Sequence, residues 1–122
     1  MNGNKRKGLQ YETLARAHLQ KQGLKFLQGN YHSRFGEIDL IMLDGSTVCF
    51  IEVKFRKRLD FGGAANTIPI SKQQKIIKTA QIYMSENKKL AKRAMRFDAL
   101  IMQQDDQDLN INWIRSAYDA ES

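Results

Sequence analysis

Four charged side chains lie close together in the middle of the chain: Glu37, Asp39, Glu52 and Lys54. They sit on two β-rich runs, EIDLIML (37–43) and TVCFIEVKF (47–55), parted by Asp44-Gly45-Ser46, a strong hairpin signal. Strand side chains alternate faces, so Glu37 shares a face with Asp39, and Glu52 with Lys54. An Asp44-Gly45 loop sets Glu37 opposite Glu52, with Asp39 one diagonal step away. A Gly45-Ser46 loop sets Asp39 opposite Glu52, and Glu37 opposite Lys54. Both registers put all four on one face, whereas a three-residue loop would turn one strand over. Carboxylates about 5 Å apart repel, increasingly so as water is excluded. A proton, a cationic partner or a divalent metal relieves the repulsion. Mg²⁺, or Mn²⁺ in its place, held by Asp39, Glu52 and a backbone carbonyl suits these oxygen donors. Lys54 points at the same place, where an ammonium can activate water or stabilise a phosphate in transition. Alternating charges also describe a solvated face. Here Ile38, Leu40, Ile41 and Met42, with Val48, Cys49, Phe50, Ile51 and Val53, leave both faces apolar. That composition describes central strands covered on both sides.

The surrounding pattern supplies the elements that must hold these groups. LQYETLARAHLQKQ (9–22) reads as an amphipathic helix stopped by Gly23, and 24–31 as a short strand. Residues 56–70, with Gly62-Gly63, read as a loop. Ser71 is placed to cap a helix to about residue 87, with Ile76, Ile77, Ala80, Tyr83 and Met84 at helical spacing. Lys72, Lys75 and Lys78 step along beside that stripe. RFDALIM (96–102) and LNINWIR (109–115) are two further strands around an acidic turn. The order α-β-β-β-α-β-β predicts an α/β fold, a mixed central sheet flanked by helices, in one domain spanning 1–122.

Twenty Lys and Arg against thirteen Asp and Glu give a net charge of +7. The excess is concentrated: residues 61–97 hold eight basic side chains and one acid, Glu86. Such a field suits a polyanion, most simply nucleic acid. No apolar run approaches the ~20 residues of a membrane span. The basic N-terminus is not followed by the apolar core of a secretory signal, and one cysteine makes no internal disulfide. A cytoplasmic location without membrane contact is the expectation. Cys49 reads as a small core hydrophobe, and His18 and His32 lack zinc-ligand spacing with it. Asp105, Asp106 and Asp108 read as a solvated turn. Asp98 is placed to cap or to pair with Arg96, Trp113 reads as core or interface, and Phe35 and Phe55 are stacking candidates.

The segment GEIDLIMLDGSTVCFIEVKFR (Gly36–Arg56) resembles the core of the PD-(D/E)xK nuclease superfamily, of restriction endonuclease-like fold. The chain more closely resembles the small bacterial YraN-type family, an uncharacterised group with predicted endonuclease character. The likeness spans nearly the whole chain. It includes Glu12, a Gly23-to-Asn30 segment ending in Gly-Asn, GEIDLI, FIEVK, Phe61-Gly62, a Lys-led second helix with Ala80 and Tyr83, and Arg96-Phe97-Asp98. Ile38 stands before Asp39 where the superfamily pattern has proline. The resemblance implies Asp39 and Glu52 as metal-binding carboxylates and Lys54 as the catalytic lysine. It implies Glu12 as an accessory acid reaching in from the first helix. Glu37 is implied either as a further ligand or as a partner of Arg34 or Lys54. Lys72 would contact a phosphate.

The expected reaction is metal-assisted hydrolysis of a phosphodiester. Arg34, Arg56, Lys57, Arg58, Lys72, Lys75 and Lys78 would hold the nucleic-acid backbone in a salt-sensitive, sequence-blind manner. The layout is similar to archaeal-type Holliday-junction resolvases, which implies branched or structured DNA as substrate and a homodimer. Two other readings compete. One is a nucleic-acid-binding protein of the same fold with little or no activity. The other is a protein whose acid cluster is only a salt-bridge network.

Overall fold

In the computed structural model, which describes residues 2–57 and 68–120, two helices cover opposite faces of one five-stranded sheet. The elements are α1 (Asn2–Lys21), β1 (Lys25–Ser33), β2 (Gly36–Asp44), β3 (Thr47–Lys57), α2 (Ile70–Glu86), a 3₁₀ turn (Lys88–Leu90), β4 (Met95–Asp105) and β5 (Asp108–Tyr118). Strands lie in chain order; β3 and β4 are parallel and every other neighbouring pair is antiparallel. This is the mixed, helix-flanked sheet and the α-β-β-β-α-β-β order that the sequence predicts. Among the described residues no helix is long and apolar enough to cross a membrane.

Alternation along the central strands makes the two cores. Cys49 and Ile51 of β3, with Leu100 and Met102 of β4, pack under Ala15 and Leu19 of α1. Val48 and Phe50 of β3, with Phe97, Ala99 and Ile101 of β4, pack under Ile76, Ala80, Tyr83 and Met84 of α2. A strand buried on both faces must be apolar at consecutive positions, which is why these runs lack polar alternation. Phe50 stacks on Phe97 (5.6 Å) and meets Tyr83 edge-on (6.0 Å), fixing α2 over the middle of the sheet.

The hairpin closes on Gly45-Ser46, with Asp44 opposite Thr47. Gly45 has φ +61° whereas Ser46 is not in the left-handed region, as a turn with glycine first requires. Several boundaries differ from those read in the sequence. The first helix starts at Asn2, β3 runs on to Lys57 and β4 to Asp105, so most of the expected loop after residue 57 and all of Arg58, Phe61 and Gly62-Gly63 lie outside the described residues. Pro69, not Ser71, precedes the first turn of α2, where Gln73 Nε2 donates to the Ile68 carbonyl (2.7 Å).

Asp98 of β4 is fully buried at a break in the β4–β5 register. Its carboxylate accepts from Arg96 Nε (3.0 Å), Trp113 Nε1 (3.0 Å) and the Ser116 N–H (3.0 Å). Every strong acceptor direction is used and the charge is matched, so this acid is structural. Removing it leaves the Trp113 and Ser116 donors unpaired and strips Arg96 of one of its two carboxylate partners. Asp98→Ala is expected to lower unfolding free energy by about 3–5 kcal/mol in urea titrations. A loss below about 1 kcal/mol would show the network to be dispensable.

Candidate active site

Glu52 continues the series Val48, Phe50 on β3, so alternation carries it to the α2 side of the sheet. It is only 9% exposed, and Lys72 Nζ from the first turn of α2 stands 2.8 Å from its Oε1. On the neighbouring strand the paired register runs from Asp44–Thr47 to Leu40–Ile51 and then ends. In a ladder closed by this turn the next β3 donor, the Val53 N–H, would go to the Ile38 carbonyl. It goes instead to Asp39 Oδ2 at 2.8 Å. The side chain takes the bond that the backbone would have taken, and Asp39 is drawn in beside Glu52.

The electrostatics follow from that placement. Burial, and then the neighbouring Glu52 charge, push the Asp39 carboxyl up to about 7; the Val53 hydrogen bond opposes this, and Glu12 adds to it. Asp39 and Glu52 thus lie close enough for each carboxylate to oppose ionisation of the other. Glu12 arrives from α1. Its pKa is raised by burial, lowered by a hydrogen bond with Asn30, and raised again by Glu37 and Glu52. Asn30 occupies the left-handed region (φ 51°) inside β1, a conformation asparagine tolerates. For the Lys72 ammonium, burial acts first and against the charge. The Glu52 hydrogen bond and the Glu52, Asp39 and Glu37 charges outweigh it, so its pKa rises above the usual lysine range. Five elements thus contribute Glu12, Asn30, Asp39, Glu52 and Lys72 to one electrostatic unit.

The remaining expected residues divide. Lys54 is half-buried and lies on Glu52's face of β3 by alternation, opposite Ile101 of β4. Glu37 is 58% exposed and faces His32 across β1 and β2 (3.2 Å to Nδ1). Arg56 Nε and Nη1 are buried with no hydrogen-bond partner among the described residues. The Lys57 side chain lies outside them, as does Arg58.

Arg34 and Lys78 gather at the Phe35 ring, and Lys75 lies against Gly36. The β1–β2 turn is clasped to α2, because Ser33 Oγ and Thr79 Oγ1 are 2.7 Å apart and the Phe35 N–H donates to Ser33 Oγ (3.1 Å). A Cβ on Gly36 would lie 3.4 Å from Lys75 Cβ, so little more than a methyl would fit there. The clasp leaves Arg34 4.8 Å and Lys78 5.3 Å from the Phe35 ring centre. Phe55, the other stacking candidate, is instead stacked on Tyr11 of α1 (4.1 Å). Trp113 donates to Asp98 and lies beside Arg115 (4.1 Å from its ring). Tyr118 was not singled out from the sequence. Its hydroxyl is buried with no partner among the described residues, and its pKa is raised by burial and then by Glu52 and Asp98.

Among the described residues no three His, Cys, Asp or Glu side chains form a ready metal cage. Two adjoining carboxylates, one buried and one half-buried, are nonetheless a suitable donor set for Mg²⁺ or Mn²⁺. Mg²⁺ keeps most of its waters and takes one or two protein carboxylates, and the raised pKa of Asp39 beside Glu52 shows that added positive charge would be favourable there. Asp39 and Glu52 would hold such an ion, with Glu12 behind them.

The family model described as Uncharacterised protein family UPF0102 matches residues 11–102, from Tyr11 beside Glu12 to Met102 in β4. The chain belongs to this family. A UPF0102 protein of Vibrio parahaemolyticus is 46% identical over 110 residues, covering 90% of this chain and 89% of its own. One from Stutzerimonas stutzeri is 40% identical over 120 residues, covering 98% and 100%. One from Pseudomonas aeruginosa is 42% identical over 116 residues, covering 93% of each. The UPF0102 match contains all of the acids and Lys72, and ends before β5.

The charge on Asp39 has a thermodynamic signature. An acid whose pKa is raised from 3.8 to about 7 by folding keeps a proton that the unfolded chain has released. Stability therefore falls as pH rises between about 4 and 7. Asp39→Asn removes this slope and still offers an oxygen to the Val53 N–H. At pH 8 it is expected to be more stable than wild type by about 1–3 kcal/mol, with the gap closing toward pH 4. Chemical denaturation across that range measures it, and a gap independent of pH would contradict the assignment.

Proposed function

We propose that this chain is a divalent-metal-dependent endonuclease that hydrolyses phosphodiester bonds in branched or otherwise structured DNA. The observation that carries the reading is the pairing of half-buried Asp39 with buried Glu52, brought together where the hairpin ladder ends, whose like charges call for positive charge. A solvated charged face would have no such need, and a structural acid would be matched as Asp98 is. The resemblance to the PD-(D/E)xK pattern at Asp39, Glu52 and Lys54 supports the same reading.

In this reading Asp39 and Glu52 hold the ion, Glu12 tunes their charge, and Lys54 positions the attacking water for in-line displacement. The ion, Mg²⁺ or Mn²⁺, would supply neutralisation of phosphate charge and acidification of water. Arg34, Lys75, Lys78 and Arg56 hold the backbone of the nucleic acid, with Lys57 and Arg58 continuing the basic run in sequence. Phosphate contacts of this type carry no base code, so selectivity rests on the shape of the DNA, and a two-fold dimer would suit a four-way junction.

Labelled duplex, single-stranded, flap and four-way-junction DNA, incubated with Mg²⁺ or Mn²⁺, tests the proposal. Wild type is expected to cut, and Glu52→Gln and Lys54→Ala to cut about 10²-fold more slowly or not at all while still binding. Equal cutting by all three proteins would assign the activity to a contaminant. Binding by all three with no cutting would leave a nucleic-acid-binding protein. Independently, the double variant Arg34→Ala/Lys78→Ala is expected to reduce the salt dependence of junction binding by about two in log–log slope. An unchanged slope would remove that surface from the interface.

A further inference from the structure

We infer that Lys72 is a built-in competitor for the divalent-ion site: it neutralises Glu52 when no ion is bound and is released to the DNA backbone when one is. The inference rests on the nuclease reading above and concerns what holds the site in its ion-free form.

Glu52 and Lys72 are unequal partners. Glu52 is 9% exposed and fixed in the central strand, whereas the Lys72 side chain is 49% exposed on a flexible four-carbon stem. Its ammonium lies 2.8 Å from Oε1, within hydrogen-bond distance of an oxygen the ion would use. An ammonium and a divalent cation on neighbouring oxygens of one carboxylate repel strongly at low effective dielectric. The acid cannot leave without exposing the core around it, so the lysine leaves. Its way out is along α2, whose next basic residues are Lys75 and Lys78. That ridge, ending beside Arg34 and Phe35, attracts only an anion. Pro69, which precedes α2, makes no side-chain cap hydrogen bond, so first-turn N–H groups add to the same preference. The lysine thus exchanges a carboxylate for a phosphate as the ion arrives, and the ion-free protein carries a satisfied site with weaker hold on DNA.

Isothermal titration of Mn²⁺ alone into wild type and Lys72→Met at pH 8 provides the first test. The variant is expected to bind Mn²⁺ about tenfold more tightly, the factor gained when a charge-assisted hydrogen bond no longer has to be broken. Junction binding provides the second. With Ca²⁺ present, Lys72→Met is expected to bind about threefold more weakly than wild type, and in EDTA equally well, because there the wild-type lysine is held by Glu52. Lys72→Gln, which keeps a neutral hydrogen bond to Glu52, replaces the methionine variant if that one unfolds. Equal Mn²⁺ affinity in variant and wild type would overturn the competition and leave the nuclease reading standing. Absence of Mn²⁺ binding in both would overturn the two together.

Discussion

One hydrogen bond organises the site: the Val53 N–H of β3 donates to the Asp39 carboxylate and not to the backbone of β2. A buried N–H must find an acceptor, and where a strand pair separates the sheet no longer supplies one. Asp39 supplies it from its side chain. The bond ends the ladder at Leu40–Ile51, holds a carboxyl in a poorly solvated place, and sets it next to Glu52. The raised pKa of Asp39, the attraction of Lys72 and the fit to an oxygen-loving cation all descend from that geometry.

The same device occurs twice in this sheet with opposite electrostatic results. Asp98 accepts the Ser116 N–H at the β4–β5 irregularity much as Asp39 accepts that of Val53. Asp98 is then surrounded by donors: Arg96, itself bridging to Asp44 (3.0 Å), and Trp113. Its charge is compensated and its contribution is stability. Asp39 has Glu52 and Glu12 as neighbouring acids and accepts from the Val53 N–H, while Lys72 stands on Glu52. A carboxylate left in debt at a strand opening is poised to take up a cation, and one that is fully matched is not. Identical backbone roles thus give one acid to the fold and the other to chemistry.

Much of this was legible in the residues. Period-two alternation placed Glu52 and Lys54 on one face of β3, but in β2 Ile38 and Leu40 pack in opposite cores, so the alternation expected to join Glu37 to Asp39 is interrupted there. The continuous apolar runs announced strands covered on both sides, as Cys49, Ile51, Val48 and Phe50 are. The choice between two hairpin registers was left open because Asp44-Gly45 and Gly45-Ser46 are both good turns. Only the backbone, with positive φ at Gly45 alone, decides for the second. Strand ends were underestimated where polar residues such as Gln103 and Gln104 continue to pair with Asn110 and Leu109, since pairing needs no apolar side chain. Lys72 read as a phosphate contact, because a sequence shows its helical spacing but not the acid across the crossover. The partner of Glu37 was missed similarly: His32 becomes its neighbour only through the β1–β2 register. Asn30 carried a faint signal, an asparagine after glycine inside a strand, but nothing joined it to Glu12.

The single parallel pair, β3 beside β4, has a consequence for how the chain assembles. Asp39 and Glu52 are joined by a two-residue turn, whereas Lys72 reaches Glu52 on the long crossover that a parallel pair demands. Closing a tight hairpin costs little chain entropy, and closing the crossover costs more. The mutually repelling groups therefore meet through the cheapest contact in the molecule, and the cation that reconciles them comes with one of the dearest. A ribosome-bound nascent chain would have to carry its two acids hydrated or protonated until the second helix docks.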